Sequence, residues 1–482
     1  MLKNVINIFS VSAISSWVRF LVEVIIARIV SVEAFGLFAL ITSLIAMFQV
    51  LLSGGVRPII QRKLAITINT NGFEFFEILF KSILLFSIVI LVTFFLFGFL
   101  DMIPFKSANI SVLKTHFNII FIGSIATAAL YIVSDIFRVI GDLRSFIFYK
   151  ETIFPITFLV LICLAWIANL VSIQHILLTL ILSLVFSCVV GVIRLKRKIS
   201  HEKIEKNIKA VRIFTNKKLF LFWISFEILG ALWIIRDKFA ILSISEYLTT
   251  EDIAVLFVMI RLTIPISMIK GSFNSLISPI IAHLYFVKSF DRLNSEYSQL
   301  SKHIFLFVFP IFVVISSFGP ELASIILSEK YQLDSMATSL LTWCVAVSAI
   351  LGPSGVALQM CGRPNIESFF IGLSLLIIAP LSMYLVPYLG ILGVVLSVFM
   401  LIVMIDLLRY IYVKKSLSID AHKKIFGSKI ILIMIIALIV ITFNPLSPTV
   451  NCLILISIYL VLFKVEIFLL KKDYLRMKSK RI

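Results

Sequence analysis

Fourteen apolar stretches, each long enough to cross a bilayer, alternate along this chain with connections that are in turn basic and nearly free of charge. A helix rises about 1.5 Å per residue, so about 20 apolar residues span the hydrocarbon core of a membrane. We therefore predict an all-α polytopic membrane protein. Its transmembrane helices are expected over residues 6–29, 37–53, 80–100, 117–137, 153–168, 176–192, 219–240, 253–275, 304–320, 340–360, 368–388, 391–411, 428–443 and 449–470.

The basic residues predict how these helices are oriented. Cytoplasmic connections collect Lys and Arg. Placing the N-terminus in the cytoplasm puts 34 of the 44 basic residues in inside connections and only three in outside connections. Both termini are therefore expected to be cytoplasmic.

Composition excludes several functional classes. The chain of 482 residues is 61% hydrophobic and 14% charged, which leaves too little polar surface for a soluble core of this size. The net charge of +19 follows from the cytoplasmic bias toward anionic lipid headgroups, so no nucleic-acid partner is expected. Five cysteines lie in apolar spans without C-x-x-C spacing. The sequence predicts no disulfide, metal site, cofactor or catalytic residue, and hence no enzyme.

An internal repeat divides the chain into two homologous halves of six helices. Three pairs of segments match in order at nearly constant offsets of 218 to 221: 33–38 (EAFGLF) with 251–257 (EDIAVLF), 57–60 (RPII) with 278–281 (SPII), and Gly141 with Gly362. An even number of helices per half makes the repeat parallel, a layout that leaves a substrate cavity between two bundles.

This repeat predicts four parts of the chain. Residues 1–193 are expected to form an N-terminal bundle of helices one to six, and residues 194–218 a basic cytoplasmic linker. Residues 219–415 are expected to form a C-terminal bundle of helices seven to twelve. Residues 416–482 would hold helices thirteen and fourteen and a basic tail.

Charged residues inside the spans are the candidate site residues. A central Arg, Lys or Asp costs roughly 2.5–3.5 kcal/mol on insertion scales, so it is retained where it lines a cavity, forms a pair or reaches the headgroups. Helices one, seven and eight carry a basic excess, which suits an anionic substrate. The predicted substrate-binding residues are Arg19, Arg236, Arg261 and Lys270.

Structural roles compete with these assignments. Arg19 and Glu23 lie four residues apart on one helical face, and an internal ion pair explains them as well as a substrate role does. Asp406 lies one turn before Arg409, which favours a local pair. Pro and Gly residues within the spans predict bends, of which most would be kinks without function.

Several segments resemble the Wzx-type flippases of lipid-linked oligosaccharides, in the superfamily that also holds multidrug extruders and lipid II flippases. The similarity covers essentially the whole chain, and the segments that carry it are residues 27–36 (ARIVSVEAFG), 53–58 (SGGVRP), 137–141 (FRVIG), 352–355 (GPSG) and 361–364 (CGRP).

This resemblance implies a function in the bacterial inner membrane. The cargo would be an oligosaccharide repeat unit linked to undecaprenyl diphosphate, moved from the cytoplasmic to the outer leaflet for a surface polysaccharide such as the O-antigen of lipopolysaccharide. Its partners would be this lipid-linked substrate, membrane lipids and the polysaccharide polymerase machinery. Glu23, Glu227 and Asp237 are the candidates for coupling to H⁺ or Na⁺.

Two other functions stay open. An ion-coupled antiporter of multidrug or organic-cation type would share the fold but prefer an acidic or aromatic cavity, which the basic excess disfavours. A membrane-embedded polysaccharide polymerase usually carries a sizeable outer loop, whereas every outer connection predicted here is short.

Overall fold

The computed structural model describes residues 2–53, 55–60, 84, 86–93, 112, 114–140, 142–201, 227–228, 230–236, 238, 247–417, 424–443 and 447–468. Its numbered helices are α1 (Leu2–Ile29), α2 (Val32–Ser53), α3 (Val56–Ile59), α4 (Phe117–Val139), α5 (Leu143–Ile147), α6 (Ile153–Ile167), α7 (Ile173–His201), α8 (Thr250–Leu262), α9 (Ile264–Phe286), α10 (Phe290–Ile326), α11 (Ser335–Ile350), α12 (Ser354–Met360), α13 (Pro364–Leu417), α14 (Lys424–Phe443) and α15 (Pro448–Leu462). A π-helical turn, Phe148–Thr152, joins α5 to α6. No β-strand occurs in the described ranges, which confirms the all-α prediction.

Long apolar helices dominate this architecture. Within the described residues, six helices are long and apolar enough to cross a membrane, and the bent pair α8 and α9 forms a seventh span if counted as one. Three shorter apolar helices lie at Ile153–Ile167, Ser428–Ile441 and Pro448–Leu462. The total of fourteen stays a prediction. Most of the third and seventh predicted helices, and the linker beyond residue 201, lie outside the described residues.

The chain divides into two compact units, Met1–Phe257 and Val258–Ile482. The four-part division predicted from the repeat stays a prediction. Within the first unit, small residues permit close helix packing, as is usual in membranes. Ser124 Oγ of α4 donates a hydrogen bond to the Ile45 carbonyl oxygen of α2 at 3.2 Å, and Gly123 lies against the Ile45 side chain.

Two residues that the internal repeat aligns are neighbours in the first unit. Gly36 is the fifth residue of α2 and Ala254 the fifth residue of α8, at the repeat offset of 218. A Cβ on Gly36 would overlap the Thr250 carbonyl oxygen and lie 3.2 Å from the Ala254 nitrogen. Beside them, the rings of Phe35 and Phe257 meet edge to face at 5.5 Å. Glycine is therefore required where these two helix starts approach each other.

In the second unit, α10 is a central helix. Ser316 and Ser339 share a 2.6 Å hydrogen bond between α10 and α11. On another face of α10, Tyr459 of α15 donates its hydroxyl to the Leu306 carbonyl oxygen at 2.8 Å, and its ring stacks on Phe309 at 5.2 Å. Buried hydroxyls thus find partners across helices, where lipid offers none.

The 54 residues of α13 form a helical hairpin. Gly390 interrupts the helical backbone with φ 56° and ψ −133°, a conformation open to glycine but strained for other residues. Beyond this turn, a Cβ on Gly393 would lie 2.5 Å from the Leu385 carbonyl oxygen, so the two arms touch at the turn. The break falls between the predicted helices 368–388 and 391–411, as the sequence indicated.

Other spans are broken where one helix was predicted. The helix predicted over 253–275 is divided at Thr263 into α8 and α9, with a 48° bend and proline in the first turn of α9. The helix predicted over 340–360 is divided into α11 and α12, where Gly352 has φ 83° and Pro353 follows. The Pro and Gly residues at these positions predict bends, but hydropathy averaged over a whole span does not show that the span is divided into two helices.

Candidate functional site

The charges of α1 lie against the segment between α5 and α6. Arg19 Nη2 is 3.9 Å from Glu151 Oε2 in the π-helical turn, and the Arg19 side chain is 42% exposed. Four residues before it, Ser15 shares a 2.8 Å hydroxyl hydrogen bond with Thr152. Glu23 is buried. Arg19 thus has an acidic neighbour that the sequence analysis did not identify.

A second charged group surrounds the end of α2. The Gly55 backbone N–H donates a 2.5 Å hydrogen bond to Glu227 Oε2. Oε1 of the same carboxyl is buried without a hydrogen-bond partner in the described part of the chain. Glu227 therefore lies at the start of α3, where backbone N–H groups lack helical partners and favour negative charge.

The first turn of α3 also carries a buried ion pair. Arg57 Nε lies 2.7 Å from Asp135 Oδ2 on α4, and its guanidinium lies 5.0 Å from the centre of the Tyr131 ring. Asp135 is only 1% exposed. Asp135 was not among the residues predicted from the sequence, although an acidic residue inside an apolar stretch is the same signal that singled out Glu23.

Arg236 and Arg261 are both half-buried. The Arg236 guanidinium lies 5.8 Å from the centre of the Trp233 ring, a cation–π distance. Asp237 lies outside the described residues. Arg261 is in the last turn of α8, two residues before the break at Thr263. A bend of this kind frees backbone groups and marks a position where a helix can line a cavity.

Lys270 belongs to a charged network inside the second unit. Its Nζ donates to Ser348 Oγ at 2.6 Å and lies 4.0 Å from Asp406 Oδ2, while the Ser348 hydroxyl donates to Asp406. Arg409 Nη1 binds Asp406 Oδ1 at 2.9 Å, which confirms the predicted local pair. Arg409 Nη2 lies 3.0 Å from Glu367 Oε1 on the other arm of α13.

This network joins α9, α11 and both arms of α13. It contains two acidic and two basic residues, so its formal charge is balanced. Gly355 of α12 faces it, because a Cβ there would lie 2.9 Å from Glu367 Oε1. Lys270 was predicted from the sequence as a separate site residue, whereas Ser348 and Glu367 were not predicted. Only the three-dimensional packing brings these side chains together.

The described side chains suit binding and relay of charge. Among them, no group of three His, Cys, Asp or Glu residues is placed to hold a metal ion. The buried groups are instead arginines, lysines and carboxylates in apolar helices, in pairs and networks. Such groups mark ion and substrate pathways in membrane proteins.

Solved structures define the class of this fold. The inward closed conformation of the lipid II flippase MurJ matches with a TM-score of 0.70 at 16% identity, over 95% of this chain and 98% of its own. An inward-facing multidrug resistance MATE family transporter of the MOP superfamily matches with a TM-score of 0.66 at 16% identity, over 83% and 94%. A MOP superfamily transporter from Pyrococcus furiosus matches with a TM-score of 0.58 at 14% identity, over 86% and 96%. The chain is thus an integral membrane protein with the MOP superfamily fold.

The sequence of the chain assigns it to a particular family. The profile of the family described as "Polysaccharide biosynthesis protein" matches residues 25–335, and the chain belongs to this family. No curated protein matches it at the level of sequence. Family and fold together confirm the resemblance drawn from the sequence segments.

Proposed function

We propose that this protein flips a polyprenyl-diphosphate-linked oligosaccharide repeat unit from the cytoplasmic to the outer leaflet of the bacterial inner membrane. The observation that carries the proposal is the pair of half-buried arginines, Arg236 and Arg261, within apolar helices of a polysaccharide biosynthesis protein. The match to a lipid II flippase over nearly the whole chain supports a lipid-linked cargo. For the solved MOP superfamily transporter from Pyrococcus furiosus, a reversed polarity of the binding pocket suggests a different function.

The physical chemistry of the cargo suits basic side chains. A diphosphate and its sugars cannot cross hydrocarbon unaided, whereas the polyprenyl tail can stay in the bilayer. Arginine presents a planar fork that matches phosphate oxygens. With a negative cytoplasm, export of an anion is favoured by about 2.3 kcal/mol per charge per 100 mV. We assign the diphosphate to Arg236 and Arg261, with Arg19 and Lys270 as further basic residues of the path.

Lys270 and Arg19 would take part only by exchanging partners. Lys270 is held by Ser348 and Asp406, and Arg19 lies beside Glu151. A cargo phosphate would have to replace these carboxylates during transport. Arg236 and Arg261 are the first residues to test, because both are half-buried within apolar helices.

Glu227 is the leading candidate for ion coupling, with Glu23 and Asp237 as the others. Its carboxyl accepts the Gly55 N–H and keeps one buried oxygen available for a proton or a cation. Since a carboxylate accepts such a bond more strongly than a neutral carboxyl does, loading Glu227 would weaken its hold on the α2–α3 turn. In transport by alternating access, the weaker hydrogen bond at the α2–α3 turn would accompany the change between the two conformations of the transporter.

The first test is substitution of Arg261 in cells that depend on the protein for surface glycan. Arg261→Ala should abolish surface glycan at unchanged protein level. Arg261→Lys should restore part of it, because lysine keeps the charge but loses the fork. Arg292→Ala, at an exposed position of α10, is the matched control. Normal export by Arg261→Ala would refute the assignment.

The second test is reconstitution in liposomes. Two carriers with the same diphosphate and different sugars are compared with an analogue that lacks the diphosphate charge. We expect charge removal to slow transfer far more than a change of sugar. Faster transport of an organic cation than of any lipid-linked cargo would indicate an antiporter instead. Labelling of cysteines introduced at both termini would test their cytoplasmic location.

A further inference from the structure

One face of the second arm of α13 combines exposed apolar residues with a lysine. Leu408, Ile411, Tyr412 and Lys415 follow the spacing that places residues on one side of a helix. Leu408 and Ile411 are 39% and 38% exposed, and Lys415 is exposed. The opposite side holds Asp406, Arg409 and Val413, which are all buried. The arm thus separates an interior charged face from an outer face that is apolar with a basic end.

This outer face forms a cleft with the first arm. The cleft has a volume of about 380 Å³ and is lined by Phe370, Leu408, Ile411, Tyr412, Lys415 and Ser416. That volume lies within the range of roughly 300–1,000 Å³ typical of small-molecule sites. Phe370 comes from the first arm and meets the Tyr412 ring edge to face at 6.1 Å. The walls are therefore hydrocarbon and aromatic, while one end is polar.

The polar end is a group of donors without a carboxylate. Arg363, just before α13, donates from Nη1 to the Tyr412 hydroxyl at 3.2 Å and lies 6.0 Å from the centre of its ring. Lys415 and Ser416 also line the cleft, and the Ser416 hydroxyl donates to the Tyr412 carbonyl oxygen at 2.7 Å. Among the described residues no carboxylate forms an ion pair with Arg363 or Lys415, and the nearby Glu367 and Asp406 are bound to Arg409. The cleft thus presents two positive charges beside an apolar trough.

We infer that this cleft binds one molecule of anionic phospholipid. The phosphate would lie between Lys415 and Arg363, with the Tyr412 hydroxyl as a further donor, and an acyl chain would lie along Leu408, Ile411 and Phe370. By the predicted orientation, Arg363 and Lys415 lie at the cytoplasmic surface, where basic pockets between transmembrane helices bind anionic lipid headgroups. The site is distinct from the arginines assigned to the cargo, and it does not depend on the identity of that cargo.

The neighbouring Lys414 provides a matched control. It is exposed like Lys415, but its Nζ lies 5.8 Å from the centre of the Tyr410 ring and it does not line the cleft. Removing either charge changes the surface potential of the protein equally. Only removal of Lys415 should affect a specific site.

The experiment measures retention of phosphatidylglycerol by the purified full-length protein in detergent, using native mass spectrometry, with phosphatidylcholine as the uncharged comparison. Lys415→Gln should weaken phosphatidylglycerol binding about fivefold, as expected for one basic contact to a headgroup. Adding Arg363→Gln should abolish the preference over phosphatidylcholine. Lys414→Gln should bind as the wild type does. Ile411→Gln should weaken both lipids, because it makes the trough polar.

Two results would overturn the inference. Equal losses in Lys415→Gln and Lys414→Gln would show that general surface charge attracts the lipid. Displacement of phosphatidylglycerol by polyprenyl diphosphate, with loss of both ligands in Lys415→Gln, would show that the cleft belongs to the transported cargo. Failure of the Arg261 substitutions to affect glycan export would leave this binding measurement unaffected, so the two proposals can fail separately.

Discussion

Arg409 and Glu367 form an ion pair across the two arms of α13, with Nη2 3.0 Å from Oε1. Both residues are almost completely buried, at 4% and 1% exposure. The same guanidinium binds Asp406 on its own arm through Nη1. One arginine thus neutralises a carboxylate on each arm.

Replacement of Arg409 should therefore destabilise the protein strongly. Arg409→Leu leaves Glu367 and Asp406 buried without this counter-charge, which costs about 3–5 kcal/mol in comparable cases. The thermal unfolding midpoint of the purified protein in detergent should fall well below that of Lys414→Leu, an exposed control on the same arm. An unchanged midpoint would show that the pair contributes little.

The pair between Arg57 and Asp135 predicts a non-additive mutant cycle. Asp135→Leu leaves Arg57 beside an apolar helix and should cost about 3–5 kcal/mol of stability. The double variant Arg57→Leu with Asp135→Leu removes both charges, so it should recover most of that loss. The thermal unfolding midpoints of the wild type, the two single variants and the double variant give the coupling energy between Arg57 and Asp135. A double variant as unstable as the sum of the single ones would exclude direct pairing.

Two glycines of α13 should respond oppositely to the same substitution. Gly393→Ala places a methyl group 2.5 Å from the Leu385 carbonyl oxygen and should destabilise by about 1–3 kcal/mol, the usual cost of overpacking. Gly372→Ala meets no atom within 4 Å and should be neutral or stabilise by up to about 1 kcal/mol. Unfolding midpoints in the same detergent compare them. Equal effects would mean that the arms do not touch at the turn.

Asp142 should make stability depend on pH at the acidic end. Its carboxyl caps α5, accepting from the Ser145 backbone N–H at 3.1 Å and from the Ser145 hydroxyl at 2.9 Å. Burial alone would raise its pKa, but these hydrogen bonds, with Lys198 and Arg194 nearby, lower the pKa from its ordinary value of 3.8. The charged form is therefore favoured by folding.

The sign of the pH effect follows from that direction. A lowered pKa adds stability above pH 3.8, and this stability is lost as the pH falls through the lower folded value. Asp142→Asn should thus be less stable than the wild type at neutral pH, and the difference should shrink in acid. Arg144→Gln, exposed in the same short helix, should show no such convergence. A difference that is constant from neutral to acidic pH would contradict the assignment.

The sequence predicted where helices lie far better than which side chains meet. Apolar length located α1, α2, α4 and α6 and the break in α13, because the cost of exposing polar groups to lipid acts on whole segments. The Asp406–Arg409 pair was also predictable, since three residues separate its members on one helix.

The rest of the charged network was not predictable from local patterns. Glu367 and Arg409 are separated by 42 positions, and only the turn at Gly390 brings them together. Hydropathy says nothing about the direction in which a helix face points, so Lys270 could not be assigned to Asp406 or Arg57 to Asp135. Asp135 itself carried a readable signal, a lone acid in an apolar stretch, which was overlooked.

The turn at Gly390 also has a consequence for how the chain is made. Gly390 alone joins the two arms, so no loop lies between them that could stay outside the membrane while only the first arm is inserted. Inserted alone, the first arm would carry Glu367 without the Arg409 guanidinium that binds it. Entering the bilayer as a closed hairpin, the arms neutralise Glu367, Asp406 and Arg409 against each other. We therefore expect the two arms to insert into the membrane together, and a nascent chain halted between them to insert less readily.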